Sequence, residues 1–190
     1  MTSAFVEDIR RLAGDSKPLR FGRSLRICLG NYGAQALLGY RLGRWLLRAN
    51  KKPHLWPLLP LGWPLYFLVS RYVHLAFDIR LHLSADIGPG LYIGHFGNIV
   101  LRHCRLGRHC SISQSNHLEP AAEGQPGPTI GERVWIGAHA RIVGPFQIGN
   151  RSTVSAAAVV QRDIPENALC TGNPARVIMR DYDNSKLINV

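Results

Sequence analysis

Between Ala85 and Val160 an aliphatic residue returns at intervals of six: Ile87 and Ile93, then Leu106, Ile112 and Leu118, then Ile130, Ile136, Ile142, Ile148, Val154 and Val160. Glycine often follows it, as at Gly88, Gly94, Gly107, Gly131, Gly137 and Gly149, and a small or modest residue comes four places on, as at Cys110, Val134, Ala140, Ser152 and Ala158. A period of six fits neither the 3.6 of an α-helix nor a long two-residue strand alternation. It fits a mainly β fold, a parallel β-helix in which three short strands and three tight turns make each triangular coil. The aliphatic residue of each hexad then points inward and stacks on its equivalents above and below.

Two interruptions break the pattern. The phase slips between Ile93 and Leu106, across Gly94-His95-Phe96-Gly97-Asn98-Ile99, and a longer break separates Leu118 from Ile130, across Glu119 to Pro128. Loops that interrupt a rigid scaffold are where binding and catalytic groups project. After Val160 the coil closes through Gly172-Asn173-Pro174-Ala175-Arg176, and a polar tail follows. Three segments result: a helical, basic 1–76, a β-helix over 77–178, and a tail over 179–190.

Within the first segment, residues 1–20 suggest a short amphipathic helix ending at Lys17-Pro18. Leu25 to Arg48 reads as helix interrupted at Gly30-Asn31-Tyr32-Gly33, with Leu38, Leu42, Trp45 and Leu46 on one face and Arg41, Arg44 and Arg48 on another. One reading is a helix that covers an end of the β-helix. The other is attachment through residues 20–76 to an anionic membrane surface. The uncharged run Pro53–Ser70 holds Trp56, Trp63 and Tyr66 but also four prolines, so it reads as a hairpin or helix pair that packs on a partner surface or lies in the membrane interface, and not as a membrane span.

The net charge of +11 belongs to this front end, because residues 1–52 carry eleven Lys/Arg against Glu7, Asp8 and Asp15. From Phe77 onward the balance is only +2, which argues against nucleic-acid binding by the repeat. Cys28, Cys104, Cys110 and Cys170 form no CxxC pair and have no zinc-site spacing with histidine. Cys104 and Cys110 fall at small inward positions, as reduced core thiols of a cytoplasmic protein would. No signal peptide is evident, and no metal is expected.

The pieces Ile87-Gly-Pro-Gly-Leu-Tyr-Ile-Gly-His95-Phe-Gly-Asn-Ile-Val100, Cys110-Ser-Ile-Ser-Gln114, Val134-Trp-Ile-Gly-Ala138 and Gly172-Asn-Pro-Ala-Arg176 resemble the hexapeptide-repeat acyltransferases. The similarity is to the serine acetyltransferase branch and its shorter relatives from surface-polysaccharide clusters, whose helical lead-in resembles Leu37 to Leu46. The resemblance implies a left-handed β-helix, a homotrimer with active sites between subunits, and acetyl transfer from acetyl-CoA to a hydroxyl. An alcohol needs a base to take its proton as it attacks, and histidine titrates near working pH. By resemblance His95 is that base.

Two departures bear on the acceptor. The carboxylate that orients the histidine in serine acetyltransferases aligns with Arg80, leaving Asp78 as a possible orienting carboxylate only if the strand shifts. A second histidine of that family aligns with Gly127. His117, in Asn116-His117-Leu118-Glu119-Pro120, is an alternative base by similarity to the galactoside, maltose and xenobiotic acetyltransferases. His103, His109 and His139 carry no such motif.

For CoA the resemblance implies a cleft with Trp135, Gly137, Ala138, Ala156 and Ala157 along the pantetheine arm and Arg162 and Arg176 toward the phosphates. The expectation is an O-acetyltransferase acting on a sugar hydroxyl in surface-polysaccharide biosynthesis, cytoplasmic and peripheral at the inner membrane face. The alternative is serine O-acetylation in cysteine biosynthesis, against which the short helical region and the Leu187–Val190 end are weighed. A non-catalytic basic scaffold is the remote third.

Overall fold

A computed structural model describes residues 2–14 and 21–188. Four helical elements precede the strands: α1 (Thr2–Leu12), α2 (Phe21–Gly30), α3 (Tyr32–Ala49), and a 3₁₀ turn over Pro53–Leu58 that runs into α4 (Leu59–Phe77). The break between α2 and α3 lies where the Gly-Asn-Tyr-Gly signal put it, and Asn31 caps α3 by accepting the Ala34 N–H at 3.0 Å. The end of the uncharged run is one helix, with Pro60 in its first turn and Pro64 inside it. No helix among the described residues is long and apolar enough to cross a membrane.

Strands, numbered in chain order, stack into three parallel ladders. The first sheet is β1 (Ile79–Leu81), β4 (Ile99–Leu101), β7 (His117–Glu119), β10 (Arg141–Val143) and β13 (Val159–Val160). The second is β2 (Asp86–Ile87), β5 (Arg105–Leu106), β8 (Thr129–Ile130) and β11 (Gln147–Ile148). The third is β3 (Tyr92–Ile93), β6 (Ser111–Ile112), β9 (Trp135–Ile136), β12 (Thr153–Val154) and β14 (Leu169–Thr171), closed by the antiparallel β15 (Arg176–Met179).

Register explains the hexads. Leu101, Leu118, Ile142 and Val160 stack in the first sheet, Ile87, Leu106, Ile130 and Ile148 in the second, and Ile93, Ile112, Ile136 and Val154 in the third. All are buried in one continuous core, where each such side chain contributes about 1.5–3 kcal/mol. The phase slip is a widened corner: Ile93 and Leu101 are both inward, eight positions apart, with His95 between them.

The helices close the first coil, as one of the two readings of the front end held. Leu37, Tyr40 and Val73 join Ile79 and Ala85 in the core, so α3 and α4 cover the open edge at β1. Helix α1 is bolted on by Glu7, which pairs with Arg108 at 2.9 Å and His109 at 2.8 Å, and by Asp8 and Arg11. Asp8, fully buried, accepts from Arg41 at 2.9 Å and from the Gly90 and Leu91 N–H groups. Arg11 donates to the carbonyls of Gly90, Cys110 and Ile188. The C-terminal residues are therefore not a free polar tail: Asn184 is buried, donating to the Arg133 and Ser152 carbonyls, and Ile188 in α5 (Ser185–Ile188) is buried too.

Candidate active site

Most of the candidate residues gather on one corner of the prism, where the chain passes from the third sheet to the first. Successive coils there present His95–Asn98, Ser113–Asn116, Gly137–Ala140 and Ser155–Ala158, joined by Ser115 N–H to Gly97 O (2.7 Å), His139 N–H to Gln114 O (3.0 Å) and Ala157 N–H to Ala138 O (2.7 Å). Each turn places one non-glycine residue at positive φ: Asn98, Ser115, His139 and Ala157, at 47°, 57°, 61° and 58°.

His95 sits exposed at the foot of this column, on a loop gripped from the helical side. Tyr32, at the start of α3, donates its hydroxyl to Gly94 O at 2.6 Å, and Gly97 N–H donates to Phe77 O at 2.9 Å. Phe96 packs edge-on to Tyr32 at 5.3 Å and to Phe77 at 6.3 Å. The helical lead-in thus sets the position of the His95 loop.

Asp78 caps the end of α4 at φ 48° and accepts Asn98 N–H at 3.1 Å through Oδ2. Its Oδ1 receives Arg80 at 2.9 Å and lies 3.7 Å from His74 Nδ1. These partners hold the carboxylate at the base of the loop, and no bond from it to the His95 ring is found among the described residues. In the ladder Arg80 pairs in register with Val100.

His117 begins β7, one coil above, between Val100 and Arg141 in the ladder. Its Nδ1 faces Glu119 Oε1 at 3.4 Å, and Glu119 Oε2 also receives Arg102 at 3.4 Å. The Nε2 of His117 is buried without a hydrogen-bond partner among the described residues. Sequence reasoning did not pair His117 with Glu119. Two-residue alternation is the signal that finds it, since residues 117 and 119 share a strand face and Leu118 points inward.

The position of the expected second histidine is closed. A Cβ on Gly127 would lie 2.2 Å from His103 O, so no side chain fits there without moving backbone. His103 itself stands at the first-to-second corner beside His82, rings 6.0 Å apart, and burial together with His103 and Arg102 lowers the His82 pKa.

Higher up the column, Gly137, Ala138, Ala156 and Ala157 form adjacent turns. A Cβ on Gly137 would meet Ala156 N at 2.5 Å, so the coils touch backbone to backbone here. Trp135 is half-buried on the outer face of the third sheet, two residues before Gly137. Arg176 follows the Gly172–Ala175 loop, which stacks on the column through Val159 N–H to Gly172 O (3.0 Å) and Ala175 N–H to Val159 O (2.8 Å). Arg162, beyond β13, is exposed at the first-to-second corner and is not brought to the others within one chain. The small residues and Arg176 leave a strip of closely stacked backbone along the upper part of the corner.

No family model matches the chain. It is 29% identical over 183 residues to a serine acetyltransferase of Synechococcus elongatus, spanning 95% of this chain and 70% of that protein. It is 30% identical over 152 residues to the Haemophilus influenzae serine acetyltransferase, spanning 78% of this chain but 53% of the relative, so it matches about half of that longer protein. Among solved structures, the serine acetyltransferase of Brucella abortus superposes with a TM-score of 0.73 at 27% identity, covering 93% of this chain and 68% of that one. A serine acetyltransferase in complex with cysteine gives 0.73 at 26% identity, covering 93% and 69%. The chain is a hexapeptide-repeat β-solenoid whose similarity lies with the serine acetyltransferase-like branch of the hexapeptide-repeat acyltransferases.

Proposed function

We propose that the protein is an acetyl-CoA-dependent O-acetyltransferase. What carries the reading is the similarity to serine acetyltransferases over nearly the whole chain, joined to a corner that stacks a gripped histidine loop beneath a strip of small residues. In the reaction the acceptor hydroxyl attacks the thioester carbonyl, the new O–C bond forms as the C–S bond breaks, and CoA leaves as the thiol. The base removes the hydroxyl proton during attack and passes it to the departing sulfur, while hydrogen-bond donors at the cleft meet the developing oxyanion.

His95 is assigned as base from its matching position and its exposure on the held loop. His117 is the second reading, favoured by Glu119: a carboxylate near Nδ1 orients the imidazole and leaves Nε2 to accept the proton. Among the described residues no carboxylate bonds the His95 ring, and Asp78 is held by Arg80 and the Asn98 N–H.

Similarity favours L-serine as acceptor over the surface-polysaccharide sugar expected from the sequence. Arg80 in place of a carboxylate and the closed position at Gly127 keep a sugar hydroxyl as the alternative. Because the corner is convex, we further propose that the cleft is completed by a neighbouring subunit of a homotrimer. Thiol release from acetyl-CoA, with L-serine against a panel of sugars, decides the acceptor. His95→Ala is expected to lower kcat by about 10²–10⁴ while His117→Ala leaves it within tenfold; the reverse pattern moves the base to His117.

A further inference from the structure

The uncharged run and its helix leave a large apolar surface uncovered. Helix α4 turns Val73 toward the core, while Leu61, Leu65, Leu68, Tyr72 and Leu75 recur four and three residues apart along the opposite face. All five are exposed, from 49% at Leu65 to 77% at Leu61. The apolar surface is wider than that stripe, since Leu58 on one flank, Phe67 on the other and Trp56 in the preceding turn are exposed as well. An exposed patch of this size marks an interaction surface.

Width and charge together select the occupant. A partner helix would need only the narrow stripe, with charged residues beside it to fix register. Here the residues beside it are apolar or proline except Arg71 near its C-terminal end, and residues 53–70 contain no Asp, Glu, Lys or Arg. Around that run the segment is basic: residues 21–77 hold eight Lys/Arg and no acid. Arg41 is buried against Asp8 and Arg44 is paired with Asp86, but Arg48, Lys51, Lys52 and Arg71 are exposed at the two ends of the uncharged run. Two copies meeting face to face would set cation against cation. A leucine-rich face with a tryptophan and flanking lysine and arginine suits an anionic bilayer instead, where the apolar face sinks to the acyl boundary and the cations meet lipid phosphates.

We propose that α4 and the preceding 3₁₀ turn form a monotopic binding surface for anionic membranes. This stands on the exposed face alone and is independent of the acyl-transfer reading. The test is sedimentation of the full-length protein with phosphatidylglycerol-containing vesicles and with pure phosphatidylcholine vesicles, read by bound fraction. Binding is expected only to the anionic vesicles, falling with added salt, and at least about tenfold weaker in Leu61→Asp/Leu68→Asp and in Lys51→Glu/Lys52→Glu. Both variants alter exposed positions, and an unchanged circular dichroism melt confirms their fold; any variant that fails this check is replaced by Leu75→Asp. Equal binding to both vesicle types, or binding that survives both substitutions, overturns the proposal. So does a wild-type protein that ignores vesicles but forms a larger assembly that Leu61→Asp/Leu68→Asp dissolves, which would make the face a contact between copies.

Discussion

Asp8 illustrates how one residue sets the register of a whole element. Its carboxylate satisfies Arg41 and two backbone N–H groups of the first coil, so it fixes both the helix that carries it and the turn it reaches. Burial lifts its pKa despite Arg41 and the two N–H donors, so the folded state holds this proton more tightly than the unfolded chain. Stability through Asp8 is therefore greatest below pH 3.8 and declines as pH rises through the elevated folded value. The pair is retained for geometry, and removing one member is costly because the other is left buried. Asp8→Ala is expected to destabilise by about 3–5 kcal/mol in denaturant unfolding, and Asp8→Asn, which keeps an acceptor, by less. In the sequence Asp8 was only one acid among basic neighbours, because its partner is 33 residues away and its backbone partners more than 80.

At the scale of elements, the coil interior is reported by its thiols. Cys104, Cys110 and Cys170 are buried, and burial pushes their pKa values up to about 12, about 11 and about 11. Thiolate is the reactive form, so at pH 8 these three should resist iodoacetamide in the folded protein and react only on unfolding. Cys28, half-buried in α2, should alkylate first; early modification of Cys110 would mean the coil opens where the packing says it is closed. Mass mapping of the alkylated peptides reads both outcomes. The inward rows were legible in advance because a period of six repeats one local environment eleven times. The site was less so. His95 and His117 stood out as interruptions, yet the grip of Tyr32 on Gly94 O spans 62 residues and leaves no periodic trace. Asp78 was a candidate only if the strand shifted, and only three-dimensional placement shows Arg80 and Asn98 N–H holding it.

On the whole-molecule scale, a triangular prism presents its corners outward, and a convex corner cannot enclose a substrate by itself. Two concavities of the described residues lie elsewhere. One of about 650 Å³ is bounded by Thr129, Gln147, Asp163 and Glu166 on the second sheet, and one of about 350 Å³ by Glu132, Arg133, Asn150 and Arg151 at the next corner. Neither includes His95, His117 or the Gly137–Ala138 turn. Acyl transfer needs water kept from the thioester and the hydroxyl held near the carbonyl, so a second surface has to close over the column. Arg162, stranded on another corner within one chain, would reach such a cleft from a neighbouring chain's side. The homotrimer proposal therefore ties mass to activity. Light scattering is expected to give three times the 21.1 kDa of the chain, and specific activity should fall in step with the trimer fraction on dilution. A monomer that retains full turnover per chain would show that one corner suffices, and the cleft would then have to form from the Glu119–Pro128 loop folding over His117.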